Sequence, residues 1–432
     1  LSRPYACYHE DMYARHAPDR TYSRPKHQLW YFVLGFFFIF VADSVITYSF
    51  PILVERQLRS NVLMGLVLAA SSVVGILCDY FFPLIFRRNQ WRMFYFVGMQ
   101  LLVVFAVALD LGSVWGAGVL FFLASAIWGV YYELFLFSQQ DFVVSEEKKS
   151  SYSRDWGVIM AAWQAALIVG PLVSDFLIRR GWPLTPIALV FMGFATVAIV
   201  PISHLNHGHQ KPERVSKIGT GKLLKELLYW KVLGKATISV LIMGFGLNMI
   251  QALYQVIGGL YGEELFNSPG LGSLLVVAFN ASMVPATVVF SFLTVKSGKK
   301  MKATWFFTLS GLILTLVAPV ARWPIAVLAV VVVSSFVNSF AWPLMEAVYS
   351  DLLERAGKSQ LHLLGLQRFF SSLAFVFGPV IFGWAADLTS YAFTFSMGGW
   401  VLFGLGVLLW FITPRKVRIP QHELAKVERK RL

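Results

Sequence analysis

Long apolar runs alternate with short polar stretches along the whole chain. Twelve runs, at about residues 29–53, 62–86, 93–111, 115–138, 156–178, 184–203, 236–261, 271–295, 303–320, 323–349, 360–386 and 391–413, each approach the ~20 residues that a helix needs to cross a bilayer. Strands of a membrane barrel would alternate polar and apolar positions, and stretches such as Ile325–Val333 are apolar throughout. The pattern predicts an all-α membrane protein of twelve transmembrane helices. Residues 1–28 lack the short basic start and short apolar core of a signal peptide and are expected to form a cytoplasmic N-terminal segment. The longest polar stretch, 204–235, divides the chain into six spans at 29–203 and six at 236–413, followed by a basic tail at 414–432. Within it, Lys222-Leu-Leu-Lys-Glu-Leu-Leu-Tyr-Trp-Lys-Val-Leu reads as an amphipathic helix lying on the membrane surface.

Composition agrees with this pattern. Of 432 residues 57% are hydrophobic and 14% charged, against roughly 25% charged in soluble domains. With the N-terminus inside, 31 of the 37 Lys and Arg residues fall in the inner segments. The outer segments hold only Arg56, Arg59, Arg179, Arg180 and Arg322, and Arg368 lies within a span. Basic residues crowd the cytoplasmic side of membrane proteins, so both termini are expected in the cytoplasm, in an inner or plasma membrane. This bias toward anionic inner-leaflet lipid accounts for the net charge of +14, and no nucleic-acid partner is needed. Cys7 and Cys78 then lie in the cytoplasm and in span 2, so no structural disulfide is expected. His204, His207 and His209 lack a carboxylate or thiol partner at ligand spacing and read as solvated loop, with no metal. The P-loop pattern, His-Glu-x-x-His and an evident catalytic triad are all missing. An enzyme and an ATP-driven pump are both disfavoured, and no cofactor beyond a coupling proton is expected.

The halves echo each other. Span 5 carries Gly157, twelve residues, then Gly170-Pro171; span 11 carries Gly365, twelve residues, then Gly378-Pro379. Trp128 and Glu133 in span 4 loosely match Trp342 and Glu346 in span 10, and Pro285 and Pro343 interrupt spans 8 and 10. Parallel repeats of this kind build a midplane site between two halves in secondary transporters. Twelve spans, both ends inside, a basic middle linker and the Gly…Gly-Pro repeat resemble the major facilitator superfamily across nearly the whole chain. Gly75-Ile-Leu-Cys-Asp79 resembles the start of that family's signature between spans 2 and 3, but Tyr80, Phe81, Phe82 and Pro83 follow where the family has a basic residue and a Gly-Arg pair. The resemblance implies two pseudo-symmetric six-helix bundles, with spans 1, 4, 7 and 10 lining a central cavity, and proton coupling through acids on spans 1 and 4.

Ionisable groups inside spans are costly and mark function by default. Asp43 in span 1 and Glu133 in span 4 are the expected proton carriers, because desolvation favours a neutral carboxyl that can load and release a proton. Glu346 and Arg368 are expected to pair as a structural or gating contact, with Asp79 and Asp175 near span ends in gate or surface roles. Asn248, Gln251 and Gln255, with Tyr254 adjacent, recur at helical spacing on span 7 and suit a polar ligand. Asn280, Asn338 and Gln164 could add contacts, and Tyr48, Tyr131, Tyr132 and Trp342 are expected near the cavity. Each of these groups also has a purely packing explanation. With Arg368 the sole basic group in a span, the expected cargo is a neutral, cationic or zwitterionic small molecule. The expectation is a monomeric secondary active transporter. Efflux of amphiphilic compounds is favoured, with proton-driven uptake of a sugar-like or other small polar solute as the alternative. A non-transporting membrane sensor or assembly partner is the rival from another class.

Overall fold

A computed structural model of the chain describes residues 26–85, 91–144, 152–203, 220–268, 271–285, 289, 298–356, 359–414 and 419–429. Among them the regular elements are helical. In chain order they are α1 (Lys26–Leu58), α2 (Asn61–Ile85), α3 (Trp91–Trp115), α4 (Gly118–Val144), α5 (Tyr152–Arg180), α6 (Leu184–Ser203), α7 (Thr220–Phe266), α8 (Ser273–Ala281), α9 (Lys299–Leu314), α10 (Pro324–Ala356), α11 (Gln360–Leu388), α12 (Tyr391–Ile412) and α13 (Gln421–Arg429). Ten of these, α1 to α7 and α10 to α12, are long and apolar enough to cross a membrane. With no water in the bilayer core, a backbone that satisfies its own hydrogen bonds is the structure such sequences can adopt.

Ten of the twelve expected spans map onto the spanning-length helices α1–α7 and α10–α12, and spans 8 and 9 correspond to shorter helices among the described residues. Of span 8 the structure describes α8, a turn at Ser282 and helical residues at 283–285 and 289; residues 286–288 and 290–295 lie outside the described residues. Pro285 has no N–H to give the Ala281 carbonyl, which weakens the ladder beside the Ser282 turn. Span 9 is α9, which tightens into a 3₁₀ turn at Thr315–Val317. The linker reading also changes. The segment from Lys222 is no separate surface helix: α7 is a single helix of 47 residues, ~70 Å long at 1.5 Å per residue. Its linker portion is rich in good helix formers, without proline, and Tyr229 and Leu233 are buried there. His204, His207 and His209 lie outside the described residues, as does Cys7, while Cys78 is a buried free thiol.

Burial separates centre from periphery. In α1 and α7 72% of the most apolar window is buried, against 28–50% in the other spanning helices, so these two form the axis. Val197, Ile325, Trp384 and Phe411 are exposed outward, as expected of side chains that meet lipid. α1 packs on α5 and α6, α3 on α4, α7 on α11 and α12, and α9 on α10 and α12. The α1–α6 helices meet the α7–α12 helices along three seams: α2 on α11, α5 on α8, and α1 on α7.

One end of the molecule gathers the starts of α7 and α11, the end of α10, and α13. There Lys225 donates to the Glu428 carbonyl, Gln421 to the Arg355 carbonyl, and His362 hydrogen-bonds Glu226 while stacking on Tyr229. We call this the linker end, and the opposite one the far end.

Candidate functional site

The Gly-Pro repeat sets the spacing of the helices around the middle. A Cβ on Gly170 would collide with Ser44, which brings α5 against α1; one on Gly378 would meet Ala252 and Met249, which brings α11 against α7. The prolines that follow, Pro171 and Pro379, both face a central cavity. The repeat therefore performs the same task twice.

The cavity encloses about 750 Å³ of atom-free space, part of it open to solvent. Side chains from both halves of the chain line it. Leu68, Trp128, Leu167, Val256, Val276, Phe279 and Phe375 make most of the wall apolar. Ser44, Thr47, Tyr48, Ser71, Ser72, Gln251, Tyr254, Gln255 and Asn280 supply polar groups, and no lining residue is charged. The aromatics are braced: Trp128 stacks on Phe105 with centroids 6.0 Å apart, and Tyr254 stacks on Phe279 at 4.1 Å.

The expected ligand-contacting residues divide accordingly. Tyr48, Gln251, Tyr254, Gln255 and Asn280 reach the cavity. The side chains of Gln251 and Gln255 show no hydrogen bond among the described residues, so their amides stay available. Asn280 gives its amide to the Val276 carbonyl at 3.0 Å. Asn248 misses the cavity, donating to the Gly244 carbonyl at 2.8 Å and to Ser371 at 3.3 Å. Asn338 is buried against Ser310, which donates to it at 3.4 Å. Gln164 and Trp342 do not line the cavity either, and Gln164 Oε1 and Trp342 Nε1 are buried without a hydrogen-bond partner among the described residues. Tyr131 is fully enclosed. The sequence reading missed Ser44, Thr47, Ser71, Ser72 and Phe375, although their spacing on α1, α2 and α11 follows one helical face.

Neither expected proton carrier faces lipid: Asp43 is 8% exposed and Glu133 7%. Asp43 immediately precedes the lining residue Ser44, with Trp128 within hydrogen-bonding reach, yet Asp43 Oδ1 and Trp128 Nε1 each lack a completed bond. No ion pair reaches Asp43 among the described residues. Glu133 belongs to a cluster nearer the linker end. Gly75 of α2 leaves room for its carboxyl, since a Cβ there would come within 3.3 Å of Glu133 Oε1. Asp79, one turn further along α2, lies within hydrogen-bonding reach of Glu133. The signature-like Gly75…Asp79 pair thus forms one face of α2 that receives Glu133.

Arg368 completes this cluster from the other half, and here the expected pairing fails. Arg368 does not pair with Glu346; its guanidinium meets Asp79 Oδ1 at 3.5 Å, joining α11 to α2. Glu346 is exposed and takes only a 3.5 Å bond from Gln367 among the described residues. Adjacent residues on a helix point about 100° apart, so Arg368 turns to Asp79 of α2 while Gln367 reaches Glu346 of α10.

The far end has its own contacts between the halves, largely unread from the sequence. Arg56 donates to both carboxylate oxygens of Glu263, at 2.9 and 2.8 Å. Asp175, expected in a gate or surface role, is buried; it accepts from the Tyr48 hydroxyl at 2.9 Å and from the Ser273 N–H at 2.8 Å. Asp387 accepts from the backbone N–H groups of Asn61 and Val62 at 2.9 and 3.0 Å. The one available signal was that each Gly-Pro is followed, four or eight residues on, by an aspartate.

Comparison with known proteins follows the same lines. Residues 144–357 and 237–431 match the family model described as Major Facilitator Superfamily. A 267-residue stretch, 60% of this chain, is 24% identical to Multidrug resistance protein 2 of Bacillus subtilis (strain 168) and spans 64% of that relative's length. Among solved structures, a POT family transporter in complex with 5-aminolevulinic acid superposes with a TM-score of 0.70 at 11% identity, covering 90% of this chain and 96% of that one. The nucleoside transporter NupG gives 0.68 at 12% identity, over 89% and 98% of the two chains. The human organic anion transporter MFSD10 gives 0.62 at 16% identity, over 90% and 99%. At these identities the likeness is one of fold.

Proposed function

The chain belongs to the Major Facilitator Superfamily, and on that premise we propose that it is a proton-coupled secondary transporter that exports amphiphilic small molecules. Its two six-helix halves rock about the central cavity, exposing it to either side in turn. The observation that carries this reading is the lining itself. An apolar, aromatic wall with a few amides and hydroxyls and no charge suits a cargo with a large greasy body and a small polar part. The partial match to a multidrug resistance protein supports the same direction. Buried carboxyls beside and below the cavity, Asp43 and Glu133, supply groups that can carry a proton.

Uptake of a sugar-like solute is supported by the amides of Gln251 and Gln255 and the hydroxyls beside them. A sugar offers hydroxyls all round, whereas the hydroxyls and amides of this wall are interspersed with apolar side chains that take up most of its surface.

Flux in proteoliposomes decides between the readings. A lipophilic amine dye and a radiolabelled hexose are each loaded under an imposed pH gradient. Movement of the dye against the proton flow, with none of the hexose, is the expected result; hexose flux with the proton flow would replace export by uptake. Gln251→Ala is expected to raise the half-saturating dye concentration about fivefold, the loss of roughly 1 kcal/mol for one hydrogen bond, with the maximal rate little changed. An unchanged half-saturation would assign Gln251 to helix packing.

A further inference from the structure

Three carboxylates at the far end hold the first turn of another helix, where backbone N–H groups lack partners within the helix. Asp110 of α3 takes the N–H groups of Leu184 and Thr185 at 3.0 and 2.8 Å, at the start of α6. Both helices belong to the same half. The other two reach across. Asp387 of α11 takes Asn61 N and Val62 N at the start of α2, together with the Asn61 amide at 2.8 Å and the Ser60 hydroxyl at 3.1 Å. Asp175 of α5 takes Ser273 N at the start of α8.

We propose that Asp175 and Asp387 form a paired latch that closes the far end, each half clamping the first turn of a helix in the other. This rests on the alternating-access reading above. Their helices are related by the repeat, although the two aspartates stand one turn apart in its register: one lies near the end of α5 and grips α8, the other near the end of α11 and grips α2. Rocking that opens the far end must pull both carboxylates off their helix starts. The released N–H groups and carboxylates then need water, so each latch biases the equilibrium toward closure there. Asp175 has a second attachment, the Tyr48 hydroxyl that lines the cavity. It therefore joins the pocket wall directly to the latch. Local chemistry alone does not require a carboxylate from the other half: Ser60 already accepts from Leu63 N at 3.3 Å.

Spin-label distances across the far end test this on the full chain in lipid nanodiscs. Labels replace Trp182, between α5 and α6, and Trp323, before α10, which are 55% and 63% exposed, in a Cys7→Ser/Cys78→Ser background. Asp175→Ala and Asp387→Ala are each expected to shift the ratio of long to short distances about fivefold toward long, the effect of losing one helix cap. Asp110→Ala removes a cap of the same kind within one half and should leave the ratio at the wild-type value. Asp175→Asn and Asp387→Asn, which keep the shape and one acceptor oxygen, should fall between and provide folded variants. Distances in the Asp175 and Asp387 variants that match wild type and Asp110→Ala overturn the latch, whatever the flux. Loss of flux in the wild type would overturn the transport reading instead, without touching the distance comparison.

Discussion

Gly65→Leu is expected to hold the far end open and to cut transport by about tenfold or more. The α2–α11 seam is built on backbone contact rather than on interdigitated side chains. A Cβ on Gly65 would run into the Pro379 carbonyl, and one on Gly383 into the Asn61 carbonyl. Small residues let membrane helices approach this closely, and a carbonyl, unlike a side-chain tip, cannot swing aside. Overpacking of a tight core costs ~1–3 kcal/mol, and at about 1.4 kcal/mol per factor of ten that suffices to invert a balanced equilibrium between two conformations. The clash begins at Cβ, so Gly65→Ala should already impair transport, which distinguishes backbone contact from ordinary side-chain crowding. Reactivity of a Leu68→Cys variant reads the conformation, since Leu68 lines the cavity. A membrane-impermeant thiol reagent added from the far side should label it faster when Gly65 carries a side chain. Unchanged labelling and flux in Gly65→Leu would remove the seam from the transport cycle.

Asp43→Asn carries the second large effect. One coupled proton makes a gradient of one pH unit worth 1.36 kcal/mol, which sustains roughly tenfold cargo accumulation. In Asp43→Asn that accumulation should vanish, while exchange of labelled for unlabelled cargo without a gradient continues. Asp43 is buried, has no cation beside it among the described residues, and adjoins the cavity wall through Ser44. An ionised carboxylate there pays its desolvation with no cation and only the Trp128 indole in reach to offset it, which ties its proton to the change of access. Glu133→Gln should act differently, because Glu133 contacts Asp79, and Asp79 holds Arg368 of the other half. Its substitution is expected to alter closure of the linker end as well as coupling. Full gradient-driven accumulation in both variants would exclude both carboxyls as carriers.

Much of this architecture is legible in the sequence because lipid imposes a severe rule on composition. A span needs an unbroken apolar run, and such runs can be counted. Where that rule stops acting, legibility stops too. The hydropathy of α7 falls off before Lys235, yet the helix continues back to Thr220 because its polar residues are still good helix formers. The face of Gln251, Tyr254 and Gln255 follows from helical spacing alone. That Asn248 turns back on its own helix does not, since a side-chain amide can choose a nearby carbonyl over a ligand. The partner of Arg368 was beyond reach for another reason. Glu346 is near in sequence and on an adjacent helix, whereas Asp79 is 289 positions away. Only the way α2 and α11 cross brings that pair together, and the same holds for the grip of Asp387 on α2.

The continuity of α7 has a mechanical consequence. A single hydrogen-bonded rod runs from Lys225, which is tethered to the C-terminal helix, to Gln251 and Tyr254 in the cavity wall and on to Glu263 at the opposite surface. Torque applied at its base turns all three stations together, with no joint to absorb it. An antibody fragment gripping the Glu226–Tyr229–His362 patch would act on the cargo chamber as a hand on a lever, from outside the permeation route.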